Sequence, residues 1–120
     1  MTTHWREIVE RSVDEVAILD VRGGPISFAG DSGRLLNEIR QLVNRGRLKV
    51  LLNLRDVHYI DSDGLSEIVE GFKNTRNAGG ILKLCEAVPG FRRLLGVTNL
   101  DRVIEVFESE DEALRSFAPS

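Results

Sequence analysis

A single hydroxyl group lies between two carboxylates near the middle of this chain: Ser62 follows Asp61 and precedes Asp63, and Gly64 comes next. The cluster joins an apolar stretch at residues 50–54 to a segment with helical periodicity. A serine in this position could act as a nucleophile, accept a phosphate or cap the helix that follows. Each of these roles requires different neighbouring residues, so the rest of the sequence can argue against some of them.

Nucleophilic catalysis is not supported by the residues around Ser62. A serine nucleophile needs a base that takes its proton and a third group that orients the base. The chain has two histidines, and only His58 is close to Ser62 in sequence. Ser62 also lacks the G-x-S-x-G context of the hydrolases. We therefore expect no enzymatic activity.

Metal and nucleotide sites are not predicted either. His4 and His58 are far apart, and neither has a partner at metal-ligand spacing, so His58 is expected to face solvent at the end of a strand. The glycine-rich stretches 23–25 and 77–80 lack the spacing and the lysine of a phosphate-binding loop. The sequence therefore predicts no metal and no cofactor.

Capping and phosphorylation both stay open for Ser62. Any of Asp61, Ser62 and Asp63 can be the N-cap of the helix. A phosphate on Ser62 would meet free backbone N–H groups at the positive end of the helix, which is favourable. It would also lie beside two carboxylates, so it would change the surface potential strongly and could block a docked partner.

Composition and length indicate one soluble globular domain. The chain has 120 residues, with 42% hydrophobic and 29% charged residues. A formal net charge of −3 gives no basic field, so no direct nucleic-acid partner is expected. The only cysteine, Cys85, cannot form an intrachain disulfide and is expected to be a buried, inert thiol. No apolar run approaches the roughly 20 residues that span a bilayer, and residues 1–7 lack a signal core, so the expectation is a cytoplasmic protein without a membrane partner.

Apolar alternation predicts the strands that hold the Ser62 cluster. An opening hairpin is expected from an edge strand at 5–12 and a strand at 16–22, with a turn at 12–15. In its second strand the two faces are predicted to carry Ala17, Leu19 and Val21 on one side and Val16 and Ile18 on the other. The stretch 50–54 is predicted to be a central strand covered on both faces. Two more strands are predicted at 81–85 and 103–107.

Helical periodicity predicts four helices. They are expected at 35–43 after a cap at Asp31 or Ser32, after Ser62, from Pro89, and after the capping box at 109–112. The helix after Ser62 is predicted to carry Leu65, Ile68, Val69 and Phe72 on one apolar stripe. Alternating helices and strands predict an α/β fold: one domain over 1–120, with its core at about 5–117, and a mixed sheet of four to five strands with about four helices.

The stretches V-L-L-N-L at 50–54, D-S-D-G-L at 61–65 and G-G-I-L-K-L at 79–84 resemble the STAS domain of bacterial anti-sigma-factor antagonists. The family pattern is a V-L-N-L strand, a D-S-[ST]-G-[LIV] turn, a helix, and G-G-x-[LM] at the start of the next strand. Residues 91–95 and 104–107 fit as well, so the resemblance covers about residues 16–117.

The resemblance implies a protein-binding switch. Unphosphorylated members of the family bind an anti-sigma factor that is also a serine kinase, and this releases a sigma factor for transcription. The kinase then phosphorylates the serine of the turn, which ends the binding, and a PP2C-type phosphatase restores it. Carried onto this chain, the phosphorylation site is Ser62, and Asp61, Asp63 and Gly64 form the turn around it.

The same resemblance implies that the partner binds the exposed side of the following helix. The candidate contacts are Leu65, Ser66, Glu67, Glu70 and Lys73, although the same side chains could be only a solvated face. Two other functions stay open. One is a STAS scaffold or sensor domain that assembles with other copies and is never phosphorylated, and the other is a domain that binds a small molecule or nucleotide.

Two positions depart from the family pattern. Many relatives have Ser or Thr where this chain has Asp63. Its charge either only favours the helix dipole, worth ~0.3–1 kcal/mol, or it weakens kinase recognition or partly imitates phosphorylation. Residues 24–30 lack the aspartate of the G-x-[LVI]-D motif that antagonists usually carry. That segment is more similar to STAS domains attached to anion transporters, which leaves the identity of the partner open.

Overall fold

The computed structural model describes residues 5–23, 33–58 and 60–118. It contains five strands, four α-helices and a short 3₁₀ helix within these ranges. In chain order they are β1 (Trp5–Val13), β2 (Val16–Gly23), α1 (Arg34–Asn44), β3 (Lys49–Val57), α2 (Ser62–Asn77), β4 (Ile81–Cys85), α3 (Pro89–Val97), the 3₁₀ helix (Leu100–Arg102), β5 (Val106–Phe107) and α4 (Glu110–Phe117).

The strands form one mixed sheet in the order β1-β2-β3-β4-β5. β1 and β2 are antiparallel, and the remaining neighbours are parallel. The predicted α/β fold with an opening hairpin and a mixed sheet is confirmed. The carboxyl ends of the parallel strands β2, β3 and β4 lie at the same end of the sheet. Ser62 is at that end because it follows β3, the longest of the three.

The two faces of the sheet bury different sets of side chains. Ala17, Leu19 and Val21 belong to the larger core under α1, α2 and α3, whereas Val16 and Ile18 belong to a smaller core with α4. The predicted division of β2 into two faces is therefore confirmed. Residues 50–54 of β3 are buried throughout, as expected for a central strand covered on both sides.

The G-G pair before β4 has a steric reason. Gly79 has a φ of +91°, which strains any residue with a Cβ atom. At Gly80 an added Cβ would clash with the backbone oxygen of Leu48. The same oxygen accepts a hydrogen bond of 2.8 Å from the N–H of Ile81, so the close approach is fixed by the first ladder bond of β4.

The last strand is shorter than predicted. β5 contains only Val106 and Phe107, and the prediction of a strand over 103–107 is wrong for its first part. The N–H groups of Val103 and Ile104 both donate to the carbonyl of Leu100, at 3.0 and 2.9 Å, which holds these residues in a turn. Parallel pairing with β4 starts only at Leu84.

The start of α1 also differs from the prediction. Its N-cap is Gly33, with a φ of 89° and no side-chain cap. The predicted caps Asp31 and Ser32 lie outside the described residues, as do His4 and the whole of 24–30. At α4 the prediction is confirmed, because Ser109 is the N-cap and accepts a hydrogen bond of 3.1 Å from the N–H of Glu112.

Candidate functional site

The helix that begins at Ser62 is capped by Asp61. The Asp61 backbone is extended, with φ −98° and ψ −179°, and its Oδ1 accepts a hydrogen bond of 2.8 Å from the N–H of Gly64. The sequence left the choice of cap open among three residues, and the structure assigns it to Asp61. The interpretation of Ser62 as the cap is therefore wrong.

Ser62 is the first residue of α2, and its side chain is exposed. Its Oγ makes no hydrogen bond to any other residue in the described part of the chain. Asp63, in the same turn, is also exposed. The hydroxyl is thus free to react or to contact a partner, and the residue beside it contributes a fixed negative charge at the helix N-terminus.

Ser62 lies at the end of a groove of about 350 Å³ between α2 and the connection that follows α3. One face of α2 forms the first wall, because its lining residues recur at the three- and four-residue spacing of a helix. The second wall is shorter. The lining residues are Ser62, Leu65, Ser66, Val69 and Glu70 on α2, and Thr98 and Leu100 opposite. The groove therefore combines apolar walls with the free hydroxyl and one carboxylate.

The structure brings most of the predicted contact residues to this groove. Leu65, Ser66 and Glu70 line it. Lys73 is exposed one turn further along, and its Nζ lies 3.6 Å from Glu70 Oε2 in an exposed ion pair. Val69, predicted to share an apolar stripe with Leu65, Ile68 and Phe72, is half-buried and lines the groove.

Glu67 is the exception, and its predicted place on the exposed side of α2 is wrong. Glu67 is only 6% exposed, and its Oε1 accepts a hydrogen bond from the backbone N–H of Leu36 in α1. The side chain therefore points between the two helices and is not available to a partner in the folded chain.

The second wall of the groove was not predicted. Thr98 and Leu100 follow α3, and no motif marks them as functional. Thr98 Oγ1 donates to the carbonyl of Leu94 at 2.8 Å, and Asn99 has a φ of 60°, so the chain turns sharply here and then enters the 3₁₀ helix. Val97 precedes this turn in the sequence and Val103 follows it. Both are exposed apolar side chains, so they add apolar surface on either side of the turn.

A separate polar cluster lies on the opposite face of the sheet, at the start of α4. The guanidinium of Arg11 bonds the carboxylates of Asp20 and Glu110, and Asn53 Nδ2 donates to Glu110 Oε1 at 2.9 Å. The bond from Arg11, then that from Asn53, lowers the pKa of Glu110. Glu86 Oε2 accepts from the N–H of Glu110 at 2.9 Å, so the cluster fastens the first turn of α4 to the sheet.

Cys85 is buried under α4, as predicted. Burial raises the pKa of its thiol to about 12, so the reactive thiolate is scarce at neutral pH. His58 is exposed just after β3, also as predicted. Within the described ranges no group of three or more His, Cys, Asp or Glu side chains could hold a metal ion. None of the helices described is both long and apolar enough to cross a bilayer.

Comparison with known proteins finds relatives that are named as anti-sigma factor antagonists. Over 74 residues the chain is 38% identical to a Thermotoga neapolitana protein named as a candidate anti-sigma factor antagonist, and the match covers 62% of this chain and 66% of that protein. It is 29% identical over 65 residues to the anti-sigma F factor antagonist of Paenibacillus polymyxa, with 54% of this chain and 56% of that protein covered.

A solved structure agrees with the fold. The crystal structure of a candidate anti-sigma factor antagonist from Thermotoga maritima superposes with a TM-score of 0.82 at 28% identity, covering 91% of this chain and 92% of that one. The family model of the STAS domain matches residues 7–113, which include the whole of the groove and of the Ser62 turn. The chain therefore belongs to the STAS domain family.

Proposed function

We propose that this chain is an anti-sigma factor antagonist that is switched by phosphorylation of Ser62. In its unphosphorylated form it binds an anti-sigma factor that is also a serine kinase, and this binding releases a sigma factor. The kinase transfers the γ-phosphoryl group of ATP to Ser62 Oγ, leaving ADP, while the hydroxyl proton passes to a base of the kinase. A PP2C-type phosphatase restores the hydroxyl.

The observation that carries this proposal is the position of Ser62. Its Oγ has no structural bond within the described chain, because Asp61 caps the helix, and it lies at the end of an apolar groove. An exposed groove with apolar walls is typical of a surface that binds another protein. The names of the relatives point to an anti-sigma factor as that protein.

The groove also provides a physical route by which phosphorylation would end the binding. A phosphoserine adds a charge near −2. At Ser62 that charge would stand beside Asp61 and Asp63 and at the end of the groove that contains Glu70. The added bulk and the concentrated negative charge would oppose the burial of a partner against Leu65 and Val69.

Phosphorylation is tested with the purified anti-sigma factor kinase and labelled ATP. We expect label on the unsubstituted chain and loss of label in Ser62→Ala. Ser12→Ala is the control, since Ser12 is an exposed serine on β1, outside the groove, and should leave the label unchanged. Label that persists in Ser62→Ala would refute the assignment of the site.

Binding is tested separately from phosphorylation. Val69→Asp places a charge on the apolar wall, so we expect it to weaken the complex between the unphosphorylated chain and the anti-sigma factor, measured by calorimetry. Arg40→Asp, an exposed substitution on α1, is the control and should leave the affinity unchanged. An unphosphorylated chain that never binds the anti-sigma factor would favour the scaffold or sensor function.

A further inference from the structure

A second groove, of about 270 Å³, adjoins the connection between β3 and α2. We call it the α3 groove, because α3 forms one of its walls. The lining residues are His58 and Ile60 from the connection, and Gly90, Phe91 and Leu94 from α3. Like the groove beside Ser62, it is lined mainly by apolar side chains and is open to the surface, so it can receive a side chain of another protein.

The two grooves lie end to end, because each wall of one continues into a wall of the other. On the first side, Ile60 of the α3 groove and Ser62 of the other groove are separated only by Asp61. On the second side, the N–H of Thr98 donates to the carbonyl of Leu94 at 3.0 Å, so these two lining residues are one helical turn apart. Ser62 is therefore at the junction of the two grooves.

One face of α3 runs along both grooves. Gly90, Leu94, Val97 and Thr98 share this face, because they follow one another at helical spacing. Val97 comes between the residue that lines the α3 groove and the residue that lines the groove beside Ser62, and it is 75% exposed. The face therefore presents an apolar side chain to solvent at the point where the grooves meet.

Val103 extends the same surface beyond the groove beside Ser62. Its N–H donates to the carbonyl of Leu100 at 3.0 Å, and in such a 3₁₀ turn the side chains three residues apart lie on one side. Leu100 lines the groove, so Val103 continues its wall. Within the described ranges Val97 and Val103 are the large apolar side chains that are exposed, and both belong to this surface.

We propose that the anti-sigma factor kinase docks along both grooves and the two exposed valines, so that α3 and the turn after it supply a second half of the binding surface. This inference rests on the function proposed for Ser62. A protein that covers both grooves also covers Ser62 at their junction, and the kinase is the partner that must reach this hydroxyl. A second copy of this chain on the same surface would cover Ser62 and exclude the kinase.

Steady-state kinetics of Ser62 phosphorylation by this kinase test the α3 side of the surface. Gly90→Gln fills the α3 groove, and an added Cβ at Gly90 meets no described atom within 4 Å, so the fold is kept. Val97→Asp places a charge on the exposed face of α3. We expect each variant to raise KM about tenfold and to leave kcat unchanged, because both residues bind the kinase and neither touches the reacting atoms.

Gly96→Gln is the matched control. Gly96 is an exposed glycine of α3 on a different face of the helix, and its added Cβ would lie 3.6 Å from Asp101 Oδ2, an ordinary contact. Its KM should equal that of the unsubstituted chain. Label on Ser62 with an unchanged KM in Gly90→Gln and Val97→Asp would overturn this inference and leave the function proposed for Ser62 standing. No label on the unsubstituted chain would overturn both.

Amide NMR spectra of the unsubstituted chain give a measurement that depends on no variant. On addition of the unlabelled kinase without ATP, we expect the signals of Leu94, Val97 and Val103 to shift or broaden together with those of Ser66 and Val69. Changes confined to α2 would overturn the inference. A dimer of the unsubstituted chain in light scattering that Val97→Asp dissociates would assign the surface to a second copy and would overturn it as well.

Discussion

Glu67 on α2 caps the first turn of α1: its Oε1 accepts a hydrogen bond of 3.2 Å from the backbone N–H of Leu36. α1 has no cap of its own, because its N-cap is Gly33 and its first turn contains no acidic residue. The other carboxylate oxygen of Glu67, Oε2, is buried without a hydrogen-bond partner in the described chain. The N–H groups of the first helical turn have no acceptor within the helix, so the bond to Leu36 accounts for the position of this side chain between α1 and α2.

Replacing Glu67 should therefore destabilise the contact between the two helices. In Glu67→Ala the N–H of Leu36 loses its acceptor, and we expect the free energy of unfolding in urea to fall by about 1–3 kcal/mol. Glu67→Gln keeps an acceptor oxygen and should lose clearly less. Glu70→Ala, on the exposed side of the same helix, is the control and should change stability by less than about 0.5 kcal/mol. Equal losses for Ala and Gln at position 67 would contradict the capping role.

The placement of Glu67 shows what the sequence of one helix cannot reveal. The apolar stripe of α2 is visible in the sequence, and three of its four members, Leu65, Ile68 and Phe72, pack against the main core. The fourth, Val69, faces the groove. Glu67 is next to this stripe, but a charged side chain at its border is normally directed to solvent. Only the uncapped N-terminus of α1, a tertiary neighbour 31 residues away, draws the carboxylate inside.

Asp63→Ser removes the negative charge beside Ser62, the proposed phosphorylation site. Asp63 is in the first turn of α2 but is not among the residues that line the groove. We therefore expect the free energy of unfolding to fall by about 0.3–1 kcal/mol, the usual contribution of a helix-dipole interaction. The affinity for the anti-sigma factor kinase, measured by calorimetry, should stay the same. A changed affinity would show instead that the partner senses the charge of Asp63.

Two glycines with close neighbours should respond differently to alanine. At Gly71 the added Cβ would lie 2.5 Å from Ile39 Cδ1, the end of a flexible side chain that can rotate. Alanine also favours the helix by about 1 kcal/mol, which offsets the crowding. At Gly80 the obstacle is the backbone oxygen of Leu48, which cannot move without breaking its bond to Ile81.

We therefore expect Gly80→Ala to lose about 1–3 kcal/mol of unfolding free energy and Gly71→Ala much less. Urea unfolding of the two variants, followed by circular dichroism, gives the comparison directly. A loss at position 71 equal to that at position 80 would mean that Ile39 is held as rigidly as the backbone.

Local periodicity accounts for what could be predicted of the fold, and tertiary geometry for what could not. The alternation of 16–22 and the apolar run 50–54 correctly indicated a two-faced strand and a central strand, because each pattern records the burial of its own residues. The run 103–107 has the same apolar character, but its first residues bond back to Leu100 and only two residues pair with β4. The second wall of the groove, Thr98 and Leu100, has no sequence pattern, since it depends on where the chain after α3 lies relative to α2.

The bond between Arg11 and Glu110 should make the stability of this fold depend on pH. The pKa of Glu110 is below its ordinary value of 4.5 in the folded chain, chiefly because of the bond from Arg11. Its contribution to stability is therefore complete above pH 4.5 and is lost as the pH falls through the lower, folded value. Glu110→Gln lacks this contribution at every pH.

The difference in unfolding free energy between the unsubstituted chain and Glu110→Gln should accordingly be about 1–2 kcal/mol at pH 7 and shrink as the pH falls below 4.5. Urea unfolding at a series of pH values measures it. Asp111→Asn is the control, because Asp111 is exposed in the same turn of α4 and forms no ion pair with a described residue. Its difference from the unsubstituted chain should be smaller at pH 7. Parallel curves for the unsubstituted chain and Glu110→Gln would show that the carboxylate of Glu110 titrates alike in the folded and unfolded states, and that Arg11 does not hold it in solution.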